Sequence, residues 1–320
     1  MDRDLFIAGD WGSTAMRLHL CEREAGKVRV LASAAGAGVK FCDNFEQAFF
    51  EAVGDWVAAH GPMPVVLAGM IGSNLGWADC AYALCPTGPA VLAEQMHRFS
   101  ARGLEIAIAP GLRCTNLFGL PDVMRGEEVQ LFGLLSLIET STERMLVCLP
   151  GTHAKWAVVE DGTVQSFFTS MQGETFEILL AHSLVGRGLP SAAASLPIEP
   201  TTPAFRDGLS HVRGDPTLAS ELAAFSARSR VVTGDLPAEA ARAYLSGLLI
   251  GAEVRDAVAA HRTRGYAFDA ITLVGAQPLM ELYGAAAEAL GLKVRMLPAH
   301  DASIRGLAAL AGVREPTDRP

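Results

Sequence analysis

The chain has 320 residues, of which half are hydrophobic and 19% are charged, and its formal net charge is −9 at pH 7. This length fits two domains of ordinary size, and this composition excludes a largely disordered chain. The negative charge argues against a nucleic-acid surface, which needs clustered lysines and arginines to displace counterions. It does not exclude a small anionic ligand, because a few local arginines or backbone amides bind one.

The apolar segments and the cysteines further restrict the class of protein to which the chain can belong. Glycines, prolines and charges interrupt the apolar residues every few positions, so no stretch approaches the ~20 residues that span a bilayer. The six cysteines are scattered, without a Cys-x-x-Cys pair or zinc spacing, and we interpret them as reduced thiols. The acidic start runs straight into a predicted strand without a recognisable targeting segment. We therefore expect a cytoplasmic protein without nucleic-acid or membrane partners.

The first predicted element is a β-meander whose opening turn has the composition of a phosphate-binding loop. An apolar strand, Phe6–Gly9, leads into Asp10, Gly12, Ser13 and Thr14. Glycine lets backbone amides approach an anion, and the two hydroxyls add donors. Asp10, at the end of the strand, is placed to hold hydrated Mg²⁺ beside phosphates. The alternative is an ordinary β-turn in which the aspartate accepts its own backbone amides.

Helices and strands alternate along the next hundred residues. A capping box at residues 43–46 predicts a helix that ends near residue 59. The pattern then predicts a buried strand at 65–68, a helix at 89–101, a strand at 105–109 and a helix at 124–139. This alternation indicates an α/β fold with mixed sheets.

A second meander, which opens with residues 146–158, resembles the first. Superposing Gly12 on Gly151 also matches Ser13 with Thr152, and His153 follows in the same turn. Both meanders have a second, glycine-containing turn, at residue 26 and at residues 161–162. The repeat favours two related domains, each opening with a three-stranded meander, over a chance similarity between two meanders.

The rest of the chain is predicted to be mainly helical, with two further strands. Helices are predicted at 176–184, 237–261, from 278 and at 302–310, strands at 270–274 and 293–297, and a Pro/Ala/Ser-rich connection at 190–203. Gly275 and Ala276 form a third strand–turn–helix junction, which is placed to pack against an adenosine or its phosphates. Neither a Walker pattern nor Gly-x-Gly-x-x-Gly occurs, so another fold has to hold any nucleotide.

The order of these three turns resembles the sugar kinase/heat-shock chaperone/actin superfamily. Four segments, residues 9–14, 68–77, 122–128 and 149–156, are similar to the 2-dehydro-3-deoxygalactonokinase family. The resemblance implies two ribonuclease-H-like lobes with mixed sheets, the actin/hexokinase-like fold, with ATP and Mg²⁺ in the cleft between them. It also implies the reaction, transfer of the γ-phosphoryl of ATP to the 6-hydroxyl of 2-dehydro-3-deoxy-D-galactonate in galactonate catabolism.

On this basis we expect residues 1–123 to form the lobe that binds the sugar acid, with the helix at 303–320 returning to it. Residues 124–302 are expected to form the nucleotide-binding lobe. The expected ATP contacts are Gly12, Ser13, Thr14, Gly151, Thr152, His153, Gly275 and Ala276. The oligomeric state is open, and a homodimer is among the options.

The expected substrate carries a carboxylate, a keto group and hydroxyls. A guanidinium or amides would bind the carboxylate, and neutral donors would bind the other groups. Ser73, Asn74 and Trp77, on the loop after a buried strand, offer a hydroxyl, an amide and an apolar wall; alternatively, they form a turn with a core tryptophan. Arg17 and Arg125 are the candidate partners of the carboxylate, unless they form surface ion pairs.

Three acids compete for the role of general base, which has to reach the accepting hydroxyl. Related sugar kinases use an aspartate some twenty residues before the second phosphate hairpin. Asp122, which has the right residue type and precedes the predicted helix, is the first candidate; Glu127, which best fits that separation, is the next, and Glu128 competes with both. Each also fits an acid at a helix N-terminus that is stabilised by the macrodipole.

Two departures from the family leave the exact sugar acid open. The chain has Asn74-Leu75 where family members often carry Arg-Gln, and Gln172 in a Met-Gln-Gly-Glu segment where they often carry threonine. The alternatives are a kinase of a related keto-deoxy sugar acid or amino sugar, and a non-catalytic ATP-binding sensor of the same fold.

Overall fold

The computed structural model describes residues 3–24, 27–137, 144–187 and 197–312. The chain divides into two compact units: unit 1 comprises Met1–Arg144, Val159–Ser166 and Ala299–Pro320, and unit 2 comprises Met145–Val158 and Phe167–Pro298. The first unit thus extends past the predicted boundary at residue 123, and it includes the last helix. No helix in the described ranges combines the length and the apolar character that crossing a bilayer requires.

Unit 1 is built on a six-stranded mixed sheet with the order β3-β2-β1-β4-β7-β6. Its strands are β1 (Asp4–Trp11), β2 (Ala15–Glu24), β3 (Lys27–Ala37), β4 (Val65–Ala68), β6 (His97–Ala101) and β7 (Leu104–Ile108). The meander β1-β2-β3 is antiparallel, as predicted, whereas β4 runs parallel to β1 and β7 parallel to β4. The predicted turn glycine at residue 26 lies outside the described residues.

Helix α1 (Phe45–His60) covers one face of this sheet. The side chain of Asn44 caps the helix by accepting a hydrogen bond from the Gln47 backbone N–H, as the capping box predicts. Phe49 and Val53, four residues apart and therefore on one face of the helix, are fully buried in the core cluster with the side chains of β1, β2 and β4.

A three-stranded sheet of β5 (Ala83–Leu84), β8 (Leu112–Thr115) and β9 (Pro121–Met124) completes the strands of unit 1. The helix predicted at 89–101 is shorter, because α2 (Pro89–Glu94) gives way to β6. Residues 97–101 alternate in burial and pair with β7 across a turn at Arg102 and Gly103, both of which have positive φ. Pairing with a neighbouring strand therefore overrides the helix prediction there.

Helix α3 (Glu127–Leu135) starts later than predicted, because residue 124 still belongs to β9, and residues 138–139 of the predicted helix lie outside the described ranges. Helix α10 (Ala299–Gly312) packs against α3 at backbone contact. A Cβ on Gly306 would lie 1.7 Å from the Val129 carbonyl oxygen, and one on Gly133 would lie 1.8 Å from that of Ala302. This contact ties the last helix to unit 1; residues 313–320 of the predicted helix lie outside the described ranges.

A second sheet, ordered β12-β11-β10-β13-β14, repeats the strand order of the first and belongs to unit 2 except for residues Val159–Ser166 of β11 and β12. Its strands are β10 (Met145–Leu149), β11 (Ala154–Glu160), β12 (Thr163–Ser170), β13 (Ala270–Gly275) and β14 (Lys293–Pro298). Strand β13 runs parallel to β10, as β4 does to β1. The predicted second meander and the predicted mixed sheets are confirmed, with the strand order expected of two ribonuclease-H-like lobes.

The helices of unit 2 include three that the sequence analysis did not predict. The helices of unit 2 in the described ranges are α4 (Gln172–His182), α5 (Pro203–Gly214), α6 (Ser220–Ala224), α7 (Ser226–Thr233), α8 (Ala241–Arg262) and α9 (Gln277–Ala289). Helices α5, α6 and α7 occupy a stretch for which no element was predicted, directly after the proline-rich connection, whose residues 190–196 lie outside the described ranges. Helix α8 is buried along most of its length, so its apolar residues do not form a single stripe.

Candidate functional site

The first glycine–hydroxyl turn of unit 1 is fixed by backbone hydrogen bonds. The Gly12 N–H donates to the Ala15 carbonyl oxygen at 2.9 Å, which closes the turn between β1 and β2. The N–H groups of Val39 and Lys40 donate to the carbonyls of Gly12 and Ser13, both at 3.0 Å. The turn therefore has one backbone conformation, and Ser13 and Thr14 remain partly or fully exposed on it.

Asp10 lies at the carboxyl end of β1, beside the loop that follows β4. One oxygen, Oδ2, is 3.7 Å from Nη1 of Arg17, which pairs with Asp10 across β1 and β2. A Cβ on Gly69 would lie 3.2 Å from the other oxygen, Oδ1, so the loop passes directly against this carboxylate. Burial raises the pKa of Asp10, and the positive charge of Arg17 opposes that shift. A cation beside Asp10 would further offset the cost of burying its charge.

The loop at residues 69–77 uses two of its predicted substrate contacts for its own structure. The Ser73 hydroxyl donates to the Met70 carbonyl oxygen at 2.7 Å and accepts from the Leu75 N–H at 3.3 Å. Trp77 packs against Phe49, with ring centroids 5.6 Å apart. Both residues therefore hold the loop in shape, which is the structural alternative of the sequence analysis, whereas Asn74 is exposed on it.

Arg125 presents a partly buried guanidinium beside the same loop. Its Nη2 donates to the Cys80 carbonyl oxygen at 2.8 Å, and its guanidinium carbon lies 4.3 Å from the centroid of the Tyr82 ring. A Cβ on Gly72 would lie 3.0 Å from its Nη1. Nε and Nη1 are buried and have no hydrogen-bond partner among the described residues. A positive charge with two unsatisfied donors is a ready partner for an anionic group.

The start of α3 lies against the loop after β4. Gly126, at φ +109, precedes the helix, and a Cβ on it would lie 3.4 Å from the Cα of Gly69. Glu127 is the first residue of the helix, and its Oε2 accepts a hydrogen bond from the Arg125 N–H at 3.1 Å. The structure therefore brings Asp10, the loop after β4, Arg125 and Glu127 to one edge of unit 1.

The other two acids of the 122–128 segment have different surroundings. Asp122 lies on β9, where its Oδ1 accepts from the Val123 N–H at 2.9 Å and its Oδ2 from the Asn116 side-chain amide at 3.3 Å. Glu128 is fully buried; its Oε2 accepts from the Gly126 N–H at 2.6 Å, and its Oε1 has no partner among the described residues. The carboxylate of Asp122 thus braces a hairpin, and Glu128 braces the start of α3.

The second glycine–hydroxyl turn, in unit 2, is packed against the start of α4 and the end of β13. The Glu174 N–H donates to the Thr152 carbonyl oxygen at 3.0 Å, and Nε2 of His153 lies 2.7 Å from Oε2 of Glu174. A Cβ on Gly275 would lie 3.4 Å from Cδ of Pro150. Two of the three predicted nucleotide turns are therefore neighbours within this unit.

A cavity of about 420 Å³ opens beside this turn, within unit 2. Gly151 and Thr152 line it, together with side chains from α4, α8 and α9 that include Phe176, Leu249 and Leu279. His153, Gly275 and Ala276 do not line it; Gly275 lies behind Pro150, and Ala276 caps α9. The volume and the largely apolar walls match a small-molecule site.

The sequence analysis missed the contributions of α4 and α8 to this cavity. Leu249 lies within the helix predicted at 237–261, and Phe176 lies at the start of the helix predicted at 176–184. Arg242, whose guanidinium carbon lies 5.6 Å from the ring centroid of Phe176, also lines the cavity and was not singled out. Periodicity identifies a buried face but does not distinguish a core contact from a cavity wall.

Two units with the same strand order, each with a glycine–hydroxyl turn after its first strand, define a protein of the actin/hexokinase-like fold. The sequence matches the family described as 2-keto-3-deoxy-galactonokinase over residues 10–310. The chain belongs to this family, and the resemblance stated from its motifs is confirmed.

Named relatives agree with this assignment. A 2-dehydro-3-deoxygalactonokinase of Escherichia coli (strain K12) is 37% identical over 311 residues, covering 96% of this chain and 97% of the relative. A probable 2-dehydro-3-deoxygalactonokinase of Rhizobium meliloti (strain 1021) is 33% identical over 306 residues, covering 96% of both chains. A crystal structure of a protein from Sinorhizobium meliloti, described as a 2-dehydro-3-deoxygalactonokinase, has a TM-score of 0.85 and 32% identity, covering 97% of this chain and 99% of that one.

The burial of Glu128 has a measurable consequence for stability. Burial raises the pKa of Glu128 to about 8 from an ordinary value of 4.5, and the charge of Glu127 adds to the shift. Between these values the folded state binds a proton that the unfolded chain has released, so the free energy of unfolding falls as pH rises. We predict that Glu128→Gln removes this pH dependence and stabilises the protein above pH 8 by up to about 5 kcal/mol. Urea denaturation at about pH 5.5 and about pH 8.5 measures the difference.

The matched control is Glu239→Gln, which removes an exposed acid. It should leave the pH dependence of the wild type unchanged. A wild-type slope retained in Glu128→Gln would show that Glu128 is ionised in the folded state.

Proposed function

We propose that the protein transfers the γ-phosphoryl of ATP to the 6-hydroxyl of 2-dehydro-3-deoxy-D-galactonate, as part of galactonate catabolism in the cytoplasm. Family membership and the names of the relatives support the reaction. The observation that carries the substrate class is the guanidinium of Arg125, whose Nε and Nη1 are buried without a partner in the described ranges. A sugar acid supplies the carboxylate that such a group needs, whereas a neutral sugar does not.

In this proposal unit 1 binds the sugar acid. Arg125 holds the carboxylate, and the exposed Asn74 offers an amide to the keto group or a hydroxyl. Arg17 is the second candidate for the carboxylate, but its ion pair with Asp10 places it nearer to the phosphate end of the site. Ser73 and Trp77 keep the loop in shape, so they act on the substrate through Asn74.

The nucleotide contacts follow from the two glycine–hydroxyl turns. The amides and hydroxyls of Gly12, Ser13 and Thr14 in unit 1, and of Gly151 and Thr152 in unit 2, are donors suited to phosphate oxygens. The apolar cavity of unit 2 receives the adenosine. Excluding water from the reacting groups limits wasteful hydrolysis of ATP.

Asp10 fits the proposed Mg²⁺. Magnesium is typically bound through one or two carboxylates together with waters and substrate phosphates, so it does not need a cage of protein ligands. In the described ranges no group of three or more His, Cys, Asp or Glu side chains is arranged to hold a metal. When bound, the ion would neutralise charge on the phosphates, and Asp10 is the side chain that would hold it.

Glu127 is the better supported general base. It stands at the start of α3 beside the loop that contacts Asp10, whereas both oxygens of Asp122 accept hydrogen bonds within the β8–β9 hairpin. In phosphoryl transfer the base accepts the proton of the attacking hydroxyl, so it has to lie where the hydroxyl meets the γ-phosphoryl. The position of Glu127 beside the loop that contacts Asp10 supports this role.

The reaction is tested by ADP release from Mg-ATP with a panel of sugar acids. The panel contains 2-dehydro-3-deoxy-D-galactonate, its gluconate epimer and an amino sugar. We expect turnover that depends on the galactonate acid and is weaker with the epimer. Faster turnover of another acid would reassign the substrate and implicate the Asn74-Leu75 departure, and tight ATP binding without a phosphorylated product from any acid would favour the sensor.

The role of Arg125 is tested by Arg125→Met. Losing a charged hydrogen-bond donor to the carboxylate should raise the KM for the acid at least about tenfold while the KM for ATP stays within about twofold. Arg113→Met, which removes an exposed arginine from β8 of the same small sheet, is the control and should change neither value. Equal KM values for the acid in the two variants would place the carboxylate elsewhere, with Arg17 as the next candidate.

The base is identified by comparing Glu127→Gln with Asp122→Asn at saturating concentrations of both substrates. We expect Glu127→Gln to lower kcat at least about a hundredfold, because general-base catalysis contributes that much or more. Asp122→Asn should retain kcat within about tenfold and lower the melting temperature instead, since its carboxylate braces the hairpin. The reverse pattern would assign the base to Asp122.

A further inference from the structure

A buried carboxylate on α8 joins the two helices α8 and α9, which line the cavity of unit 2, to β11, the strand that follows the turn beside the cavity. Glu253, on α8, is 5% exposed. Its Oε1 accepts a hydrogen bond from Nε1 of Trp156 at 2.8 Å, and its Oε2 accepts one from the hydroxyl of Tyr283 at 2.7 Å. The side chain of Ser170, at the end of β12, is a further hydrogen-bond partner. Burial raises the pKa of Glu253, and these three neutral partners oppose that shift.

Each partner lies on a segment that shapes the cavity or the turn beside it. Tyr283 itself lines the cavity, on α9 with Leu279 and Leu282. Trp156 lies on β11, which begins directly after the turn that carries Thr152. Helix α8, which carries Glu253, contributes Ser246, Leu249 and Ile250 to the cavity wall. One side chain thus connects the strand after the phosphate turn with two walls of the cavity.

Burying Glu253 costs stability, and this cost argues that the residue has a function. A buried acid facing only neutral donors is destabilising compared with an apolar side chain of similar volume. A carboxylate has two oxygens that each accept hydrogen bonds, so it satisfies an indole N–H and a phenol hydroxyl at the same time. Fixing two walls in advance lowers the entropy that a ligand has to overcome when it binds.

We propose that Glu253 is a positioning residue for ATP binding, which holds the cavity wall at Tyr283 and the strand of Trp156 in one fixed arrangement. The proposal rests on the proposed function, because it requires the cavity to receive the nucleotide. It adds a residue that contacts neither the cavity nor the reacting atoms and that acts on affinity for ATP alone.

The test compares Glu253→Met with Glu253→Gln. Methionine has a similar volume but accepts neither bond well, so we expect the KM for ATP to rise about tenfold. The KM for the sugar acid should stay within about twofold. Glutamine keeps both bonds when its amide oxygen accepts from the indole and its amide nitrogen donates to the phenol oxygen, so its KM for ATP should stay within about threefold of the wild type.

The control for a loss of stability is Val212→Ala. Val212 is buried on α5, and its side chain approaches Gly251 of α8, so the substitution weakens the packing of the same helix without touching the cavity. It should lower the melting temperature and leave the KM for ATP unchanged. A KM for ATP in Glu253→Met that equals the control, or KM values for both substrates that rise together, would overturn the proposal.

If Glu253→Met does not fold, Tyr283→Phe tests the same proposal. It removes one hydroxyl and leaves the shape of the wall, so the KM for ATP should rise about fivefold; a value within about threefold of the wild type would also overturn the proposal. Calorimetry with ATP on the wild-type protein distinguishes a failure of the proposed function from a failure of the role proposed for Glu253. Absence of binding there contradicts the proposed function and this inference with it, whereas wild-type binding with unaltered variants contradicts the inference alone.

Discussion

The backbone at Gly69 passes so close to the end of β1 that no side chain fits between them. A Cβ there would lie 2.8 Å from the Trp11 carbonyl oxygen, and the residue has φ +95, a conformation that side chains rarely adopt. The loop after β4 can therefore lie against Asp10, and Gly126 brings the start of α3 against the same loop. Asp10, Arg125 and Glu127 share one edge of unit 1 because of these two glycines.

Unit 2 meets a similar constraint with different residues. A Cβ on Gly173 would lie 2.5 Å from the Gly151 carbonyl oxygen, so the start of α4 presses on the second glycine–hydroxyl turn. The same contact brings Phe176 to the wall of the cavity beside that turn. In both units the turn itself is simple, and the close approach of a later segment makes it part of a site. Repetition of the meander alone would give two turns, but no neighbouring segment packed against either of them.

Sequence reasoning identified the turns better than it identified their neighbours. Gly12 and Gly151 carry strong local signals for a turn, because glycine and a following hydroxyl residue after an apolar strand favour a tight turn. The helix predicted at 89–101 was wrong in its second half, since His97–Ala101 pairs with β7, and pairing between strands is not visible in local propensity. Helices α5 to α7 were missed for a related reason: their apolar residues pack against α8, which is distant in sequence. For Ser73 and Trp77, residue type alone does not distinguish a role in the shape of the loop from a contact with a sugar.

Two charged groups of unit 1, Asp10 and Arg125, have surroundings that a bound ligand would complete. Burial raises the pKa of Asp10 although Arg17 is nearby, and the guanidinium of Arg125 keeps two buried donors without a partner among the described residues. A protein selected for stability alone would pair these groups with each other or replace them with apolar side chains. A hydrated cation beside Asp10 and a carboxylate beside Arg125 would satisfy both groups at once, and a magnesium nucleotide and a sugar acid are the two ligands that bring them. The unsatisfied electrostatics of the site and the chemistry of the family therefore point to the same pair of substrates.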